Sequence, residues 1–218
     1  MAADILDAVL GVLLAGGKAR RMGGGDKSML ILGGRPILEA IIERVRPQVG
    51  KLIINANGDA ERFVRFGLPV VPDVIEGFAG PLAGVLTGME WSAGNAPGLD
   101  WVASFATDAP FLPVDMVDRL TAAIEGRGAD IACAKSRGRA HPVFALWPVR
   151  LRRELRRAMV DEEMRKIDEW TARYRVAHVA FEGEPDPFFN INRPDNLAEA
   201  ETILAATSGG GELKEGAA

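Results

Sequence analysis

The sequence predicts an α/β fold with a mostly parallel sheet. Short apolar runs alternate along the chain with longer segments whose apolar residues recur at helical spacing. The early runs are apolar almost throughout, as expected of strands that helices cover on both faces. The chain has 218 residues, about half of them apolar, which is enough for one domain with a substantial core. We therefore expect a single Rossmann-like domain of three layers.

Six apolar runs are the predicted strands. They cover residues 9–14, 52–55, 101–106, 130–134, 143–147 and 176–181. In open sheets of this class, ligands bind beyond the carboxyl ends of the strands. The loops that follow strands are therefore where we look for function.

Four segments between or after these strands have a single apolar face at helical spacing. They are residues 36–49, 81–94, 114–126 and 194–206. The first has Pro36 near its start, where the missing N–H of proline costs a helix nothing. We expect one domain over residues 1–206 and, because it is polar and rich in glycine, a disordered tail over 207–218.

Residues 148–173 read as two charged helices. Leu151, Leu155 and Met159 form a narrow apolar stripe, and five arginines between Arg150 and Arg157 crowd the remaining surface. A solvated helix face is one interpretation, and contact with a multiply charged anionic ligand is another. Nucleic acid is disfavoured because no aromatic residues are interleaved with the arginines.

Composition argues against several classes of protein. A net charge of −4 gives no overall basicity for nucleic acid. Cys133 is the single cysteine, which excludes a disulfide framework and predicts a buried strand residue in a cytoplasmic protein. No apolar stretch reaches the roughly 18 residues of a membrane span, and the first apolar run lacks the preceding basic region of a signal peptide.

The loop after the first strand is rich in glycine and positive charge. It reads GVLLAGGKARRMGGGDKSM over residues 11–29 and fits neither the dinucleotide fingerprint nor the Walker loop. Gly16 and Gly17 let backbone amides approach an anion. Lys18, Arg20, Arg21 and Lys27 supply charge to a polyphosphate. The residues alone leave an anion-binding loop and a flexible solvated loop as alternatives.

This loop resembles a family signature. Residues 13–30 are similar to the L-A-G-G-x-[AS]-x-R-M-G-x-x-K pattern of nucleotidyltransferases with the nucleotide-diphospho-sugar transferase fold, and the form R-R-M-G-G-x-D-K resembles molybdenum cofactor guanylyltransferase. Four further segments agree in order, at residues 53–57, 70–89, 105–113 and 188–197. The resemblance covers roughly residues 9–204.

The resemblance implies a reaction and its participants. The terminal phosphate of molybdopterin would attack the α-phosphorus of GTP and release pyrophosphate, with Mg²⁺ as cofactor. Such a phosphate is substantially ionised at neutral pH, its second pKa being about 6, so no catalytic base is required. Partners would be GTP, molybdopterin, and proteins of cofactor biosynthesis or molybdoenzyme maturation.

Three charged residues would carry the phosphate chemistry. Asp108 follows the strand at 101–106 and suits Mg²⁺, although an aspartate there also suits a helix cap. The resemblance favours the metal. Lys27 would neutralise the triphosphate, and Arg21 would be a further catalytic contact.

Other residues would hold the two substrates. By the resemblance, the backbone of Leu14, Ala15, Gly16 and Gly17, together with Asn55 and Asp73, contacts the nucleotide. A carboxylate accepts from the N1–H and N2–H edge of guanine; from its sequence context alone, Asp73 is also a plain turn residue.

On the molybdopterin side, the resemblance places Asn190 and Asn192. Alternate residues of an extended segment point the same way, so the two amides can converge. We expect His141 to be packed rather than to act as a base. The alternatives are a cytidylyltransferase or sugar-phosphate nucleotidyltransferase of the same fold, or a non-catalytic carrier, which the joint presence of Lys27 and Asp108 disfavours.

Overall fold

The computed structural model describes residues 7–16, 27–77 and 80–209. The strands are β1 (Val9–Leu14), β2 (Ile31–Leu32), β3 (Arg35–Pro36), β4 (Lys51–Asn55), β5 (Val70–Val71), β6 (Trp101–Ala106), β7 (Ile131–Ser136), β8 (Arg139–Pro148) and β9 (Val176–Ala180). The α-helices are α1 (Ile37–Val45), α2 (Pro81–Asn95), α3 (Met116–Arg127), α4 (Arg152–Val160), α5 (Ile167–Thr171) and α6 (Pro194–Gly209). Short 3₁₀ turns include Lys27–Met29, Arg46–Gln48, Glu61–Phe66 and Val149–Leu151.

Seven strands form one sheet in the order β5-β4-β1-β6-β8-β7-β9. Strand β8 is antiparallel to β6 and β7, and the other neighbouring pairs are parallel. The mostly parallel α/β fold predicted from the sequence is therefore confirmed. In register, Leu14 at the end of β1 lies opposite Asn55 of β4 and Ala106 of β6. Three strands thus end side by side at one edge.

Helices cover both faces of this sheet, because the strand side chains alternate between two apolar cores. In β1, Val9 and Leu13 pack with α1, α3 and α6 on one face. Leu10 and Val12 pack with α2, α4 and α5 on the other. Both cores consist of fully buried aliphatic and aromatic side chains, which gives the three layers.

The predicted strands and helices are present, with bounds that differ by a few residues. Strands β2, β3 and β5 were not predicted, because two residues each are too short to show a period. Cys133 is buried in β7 as expected. The predicted tail lies mostly outside the described residues, since α6 runs to Gly209 and residues 210–218 are not described.

The two charged helices at 148–173 are α4 and α5, and the stripe of Leu151, Leu155 and Met159 is buried as predicted. Arg156 donates twice to Glu90 of α2, at 2.6 Å each. Arg150 donates to Asp130 at 2.9 Å. These two arginines are thus engaged within the protein, which favours the interpretation of a solvated helix face.

None of the helices in the described ranges combines the length and the apolarity that crossing a membrane requires.

Candidate functional site

Polar groups converge where β1, β4 and β6 end. The N–H of Ala15 donates to the carbonyl of Asn55 at 2.9 Å, and the buried hydroxyl of Thr107 donates to the carbonyl of Leu14 at 3.2 Å. These bonds tie the ends of the three strands together. Because the Ala15 N–H is used within the protein, it is not offered to a ligand.

Asp108 and Lys27 meet at this edge, although 81 positions separate them in the sequence (108 − 27). The Lys27 Nζ lies 3.9 Å from Asp108 Oδ2, and each side chain is only about a fifth exposed, at 20% and 22%. Lys27 also donates to Asn192 Oδ1 at 2.5 Å. The structure therefore brings three of the predicted site residues into one cluster.

The segment Asn190–Asn192 is docked onto the Asp108 loop. The Ile191 N–H donates to the Asp108 carbonyl at 2.8 Å. With its amide nitrogen turned toward Asp108, Asn190 donates to Oδ1 and to the Phe188 carbonyl, at 3.3 Å each. Ile191 is buried between them, so both amides face Asp108 and Lys27, as the alternation of an extended segment predicts.

Burial raises the pKa of the Asp108 carboxyl above its usual value. The charge of Lys27 and a backbone hydrogen bond partly offset this effect. A carboxylate with so little water around it is stabilised by any cation that reaches it. Asp108 therefore has the character of a cation ligand.

Asp108 does not cap the following helix. Helix α3 begins at Met116, and the residue that precedes it is Asp115. The capping interpretation of Asp108 is therefore wrong for that helix, because Asp108 stands seven positions before Asp115, which occupies the cap position. Its side chain is directed at Lys27 instead.

The donor set at Asp108 fits Mg²⁺ in chemical type. Carboxylate and amide oxygens are hard ligands, and Mg²⁺ is usually held by one or two carboxylates, with waters and substrate phosphates completing its shell. Among the described residues, no group of three or more His, Cys, Asp and Glu side chains could hold a metal ion. A single carboxylate thus agrees with a metal that arrives together with a phosphate ligand.

A second polar cluster lies at the neighbouring strand end and contains Asn55, Asn57 and Asp73. Asn55 Nδ2 donates to Asp73 Oδ1 at 2.9 Å and to the Val71 carbonyl at 3.1 Å. Asn57 Nδ2 donates to Asp73 Oδ2 at 2.8 Å, and the Asp73 N–H donates to Asn57 Oδ1 at 2.9 Å. Asp73 is therefore more than a turn residue.

Sequence reasoning missed Asn57. The available signal was its spacing in Ile-Ile-Asn-Ala-Asn, where it stands two positions after Asn55, as Asn192 stands after Asn190.

Helix α2 approaches the same strand ends closely at Gly84. A Cβ at this position would lie 2.3 Å from Asn55 Oδ1 and 2.3 Å from Leu14 Cδ2. Both distances are far below van der Waals contact, so only glycine lets the helix pack here without moving the Asn55 amide. The first turn of α2, which opens with Pro81, is thereby held against the edge.

His141 supports the segment that carries Asn190, and it is packed, as expected. Ser136 Oγ donates to Asp186 Oδ1 at 2.8 Å. Because that bond uses the hydroxyl hydrogen, His141 Nε2 is the donor in its 2.7 Å contact with Ser136 Oγ. The His141 ring also lies on Phe188, with the centroids 4.8 Å apart.

Burial, hydrogen bonds and neighbouring charges shift the pKa values of His141 and Asp186. Burial lowers the pKa of His141; the Asp186 charge works against this, and the Arg139 charge adds to it. For Asp186, burial acts to raise the pKa, but hydrogen bonds from Phe188 and Ser136 and the charges of His141 and Arg137 lower it overall. His141 therefore has no arrangement that would make it a base for a substrate.

Several predicted site residues lie outside the described ranges. They are Gly17 and Arg21, together with Lys18 and Arg20 of the same loop. Gly16 is described and exposed, and an added Cβ there would meet no atom of the described residues within 4 Å.

The chain is similar to a set of known proteins. Residues 11–177 match the family model described as MobA-like NTP transferase domain. Relatives named molybdenum cofactor guanylyltransferase are 53% identical in Bradyrhizobium sp. (strain ORS 278), over 94% of this chain and 97% of the relative, and 55% identical in Nitrobacter hamburgensis, over 92% and 96%.

A solved structure from Archaeoglobus fulgidus, titled molybdopterin-guanine dinucleotide biosynthesis protein A, superposes with a TM-score of 0.74 at 26% identity, over 90% of this chain and 99% of that one.

Proposed function

The chain belongs to the molybdenum cofactor guanylyltransferases, which are nucleotidyltransferases, and we propose that it transfers GMP from GTP to molybdopterin with release of pyrophosphate and with Mg²⁺ as cofactor. The observation that carries this proposal is the cluster of Asp108, Lys27 and Asn192 beyond the carboxyl ends of β1 and β6. It sets one cation and one shielded carboxylate side by side where open α/β sheets bind their ligands.

The chemistry that these residues support is phosphoryl transfer without a general base. An oxygen of the terminal phosphate of molybdopterin forms a bond to the α-phosphorus of GTP. The bond from that phosphorus to the bridging oxygen of the β-phosphate breaks, and pyrophosphate leaves with the electron pair. The protein then has to bring two anions together and stabilise negative charge on the leaving group.

Lys27 and Asp108 divide this task. Lys27 is positioned to neutralise phosphate oxygens, and a phosphate oxygen that accepts from Nζ would take the place of Asn192 Oδ1. Asp108 would hold Mg²⁺ together with waters and phosphate oxygens, and the bound ion would supply positive charge to the triphosphate. Arg21 and the backbone of Gly17 belong to this proposal by resemblance.

The two remaining clusters would hold the substrates at either end. Asp73, with Asn55, would accept from the base edge of GTP, and the backbone of Leu14, Ala15 and Gly16 would line the same end. Asn190 and Asn192 would contact molybdopterin. Their segment comes from the C-terminal part of the chain and is docked against Asp108.

The test is an incubation of the purified protein with molybdopterin and either GTP or CTP, with and without Mg²⁺. We expect a guanine dinucleotide and one equivalent of pyrophosphate from GTP with Mg²⁺, and neither product after chelation of the metal. Turnover with CTP but not GTP would overturn the assignment of the base. Equal rates with and without Mg²⁺ would overturn the role given to Asp108.

A further inference from the structure

We propose that Asn57 is a positioning residue that orients Asp73 toward the nucleotide base and thereby sets the preference for guanine. The inference rests on the proposed function, because it takes Asp73 to be the residue that accepts from the base. It assigns to Asn57 a role that the sequence did not indicate.

The contact between Asn57 and Asp73 is reciprocal. The amide nitrogen of Asn57 donates to Asp73 Oδ2 at 2.8 Å, while its amide oxygen accepts from the Asp73 backbone N–H at 2.9 Å. One amide thus joins the side chain and the main chain of the same aspartate in a closed ring. Such a ring fixes the direction of the carboxylate relative to its own backbone.

Asn57 is itself held from behind, although its side chain is exposed. Its carbonyl accepts from Arg62 Nη2 at 3.0 Å, and Arg62 Nη1 also donates to the Asp59 carbonyl at 2.5 Å. The guanidinium carbon of Arg62 lies 4.4 Å from the centroid of the Phe63 ring, and Phe63 is fully buried. The main chain of Asn57, which carries the amide that orients Asp73, is therefore anchored through Arg62 to the core.

Within the described part of the chain, the hydrogen bonds leave Asp73 with two free acceptor positions. Each carboxylate oxygen can accept about two hydrogen bonds. Asn55 occupies one position on Oδ1, and Asn57 occupies one on Oδ2. One position then remains on each oxygen, which matches the two parallel donors N1–H and N2–H of guanine. Hypoxanthine offers only the N1–H, and so it engages one of the two.

The role of Asn57 is separable from folding. Asn55 is buried, at 5% exposed, whereas Asn57 is exposed and the carboxylate it holds is half-buried. Truncating an exposed amide changes stability little. A change in base preference after such a truncation therefore reports on Asp73 and not on the fold.

The experiment compares Asn57→Ala with the wild-type protein in the transfer assay with GTP and with ITP, which lacks the N2 amine. We expect the wild type to favour GTP in kcat/KM by about tenfold, the usual size of one added hydrogen bond to a charged group. In Asn57→Ala we expect this ratio to fall to about one, through a higher KM for GTP, with kcat for GTP within about twofold of wild type.

The matched control is Asn95→Ala. Asn95 is also an exposed asparagine whose amide donates to a carbonyl, that of Trp91 at 3.0 Å, at the far end of α2. This variant should keep the wild-type ratio.

Asn57→Asp is the second variant. It keeps an acceptor for the Asp73 N–H but replaces the donor with a second carboxylate, so it should lower the GTP preference as well. If Asn57→Ala does not fold, the GTP to ITP ratio of Asn57→Asp tests the inference instead.

An unchanged GTP to ITP ratio in a folded Asn57 variant would overturn this inference while leaving the proposed function intact. A wild-type protein that transfers nothing from GTP would instead overturn the proposed function, so the two failures are distinguishable. A parallel loss of rate with both nucleotides, without a change in ratio, would also count against a positioning role.

Discussion

The two halves of the sheet differ in what they place at their surface. Where β1, β4 and β6 end together, polar side chains from distant parts of the chain meet in hydrogen-bonding distance. On the β7–β8–β9 half, a cavity of about 360 Å³ lies between the strands and α5 and is lined by mostly apolar side chains, among them Ile131, Trp147 and Val176.

Two titratable side chains at this cavity, Cys133 and Tyr174, are poorly suited to chemistry at neutral pH. Burial raises the pKa of the Cys133 thiol to about 11, with only a backbone hydrogen bond at His141 acting against it. Burial, followed by the hydrogen bond to Glu154, raises the pKa of Tyr174 to about 12. Both groups line the cavity in their neutral forms.

Strand direction explains the contrast. Parallel neighbours bring their carboxyl ends, and the loops that follow them, to one edge. Strand β8 runs against both of its neighbours, so the loops on that side are divided between two edges. Convergence of polar groups, and not the volume of a cavity, therefore marks the candidate functional edge of this molecule.

The largest effect is expected from the replacement of Asp108, compared with the replacement of Asp168 in the other half of the sheet. We expect Asp108→Asn to lower kcat at least about a thousandfold, on the order of 4 kcal/mol of activation free energy, because the carboxylate that would hold the cation is gone. Its thermal unfolding temperature should be unchanged or higher, since a charge that burial disfavours is removed. Turnover and thermal unfolding are measured side by side.

The control is Asp168→Asn, which changes an exposed carboxylate at the cavity. It should leave both quantities near wild type. Equal activity of the two variants would contradict the division of the molecule into a functional half and a structural half.

An intermediate effect is expected from two glycines of α2. Gly84→Ala drives a methyl group into Asn55 and Leu14, and we expect it to cost about 1–3 kcal/mol of unfolding free energy and to raise the KM for the nucleotide. Gly94→Ala, in the last turn of the same helix, meets no atom within 4 Å and should be neutral or slightly stabilising. Chemical denaturation and nucleotide titration measure the two effects, and equal behaviour of both variants would contradict the close approach of α2 to the site.

The smallest expected effect is a pH dependence of stability that comes from His141. The pKa of His141 is lowered in the folded protein, so below about pH 6.5 the unfolded chain binds more protons than the fold does. The stability that neutral His141 contributes is present above that pH and is lost as the pH falls toward the folded pKa.

Replacing His141 by Gln should therefore flatten the decline of the unfolding temperature between pH 7.5 and about 5.5. A wild-type profile in His141→Gln would show that its surroundings do not disfavour the charged ring.

The strands of this molecule were easier to predict from the sequence than the contacts between its site residues. Val9–Leu14 and Trp101–Ala106 were predicted at their observed bounds, because strands buried on both faces have continuous apolar runs. The meeting of Lys27 with Asn192 was not predictable from spacing, since it depends on how distant loops pack against the same edge. Motif resemblance named both residues but not their contact.

Asn57 shows where sequence reasoning ends. A single asparagine after a strand is compatible with a turn, a cap or a ligand contact, and composition does not distinguish these. Only the fold brings β5 beside β4, so that Asp73 comes within 2.8 Å of the Asn57 amide. The partner of a polar side chain is a property of the tertiary structure.

The contact between Lys27 and Asn192 also bears on the synthesis of this protein. It joins positions 165 residues apart, and the Ile191 N–H reaches back to Asp108 in the same way. A nascent chain still attached to the ribosome through residues before 192 has neither contact. The candidate site is therefore complete only after the chain has been synthesised through Asn192.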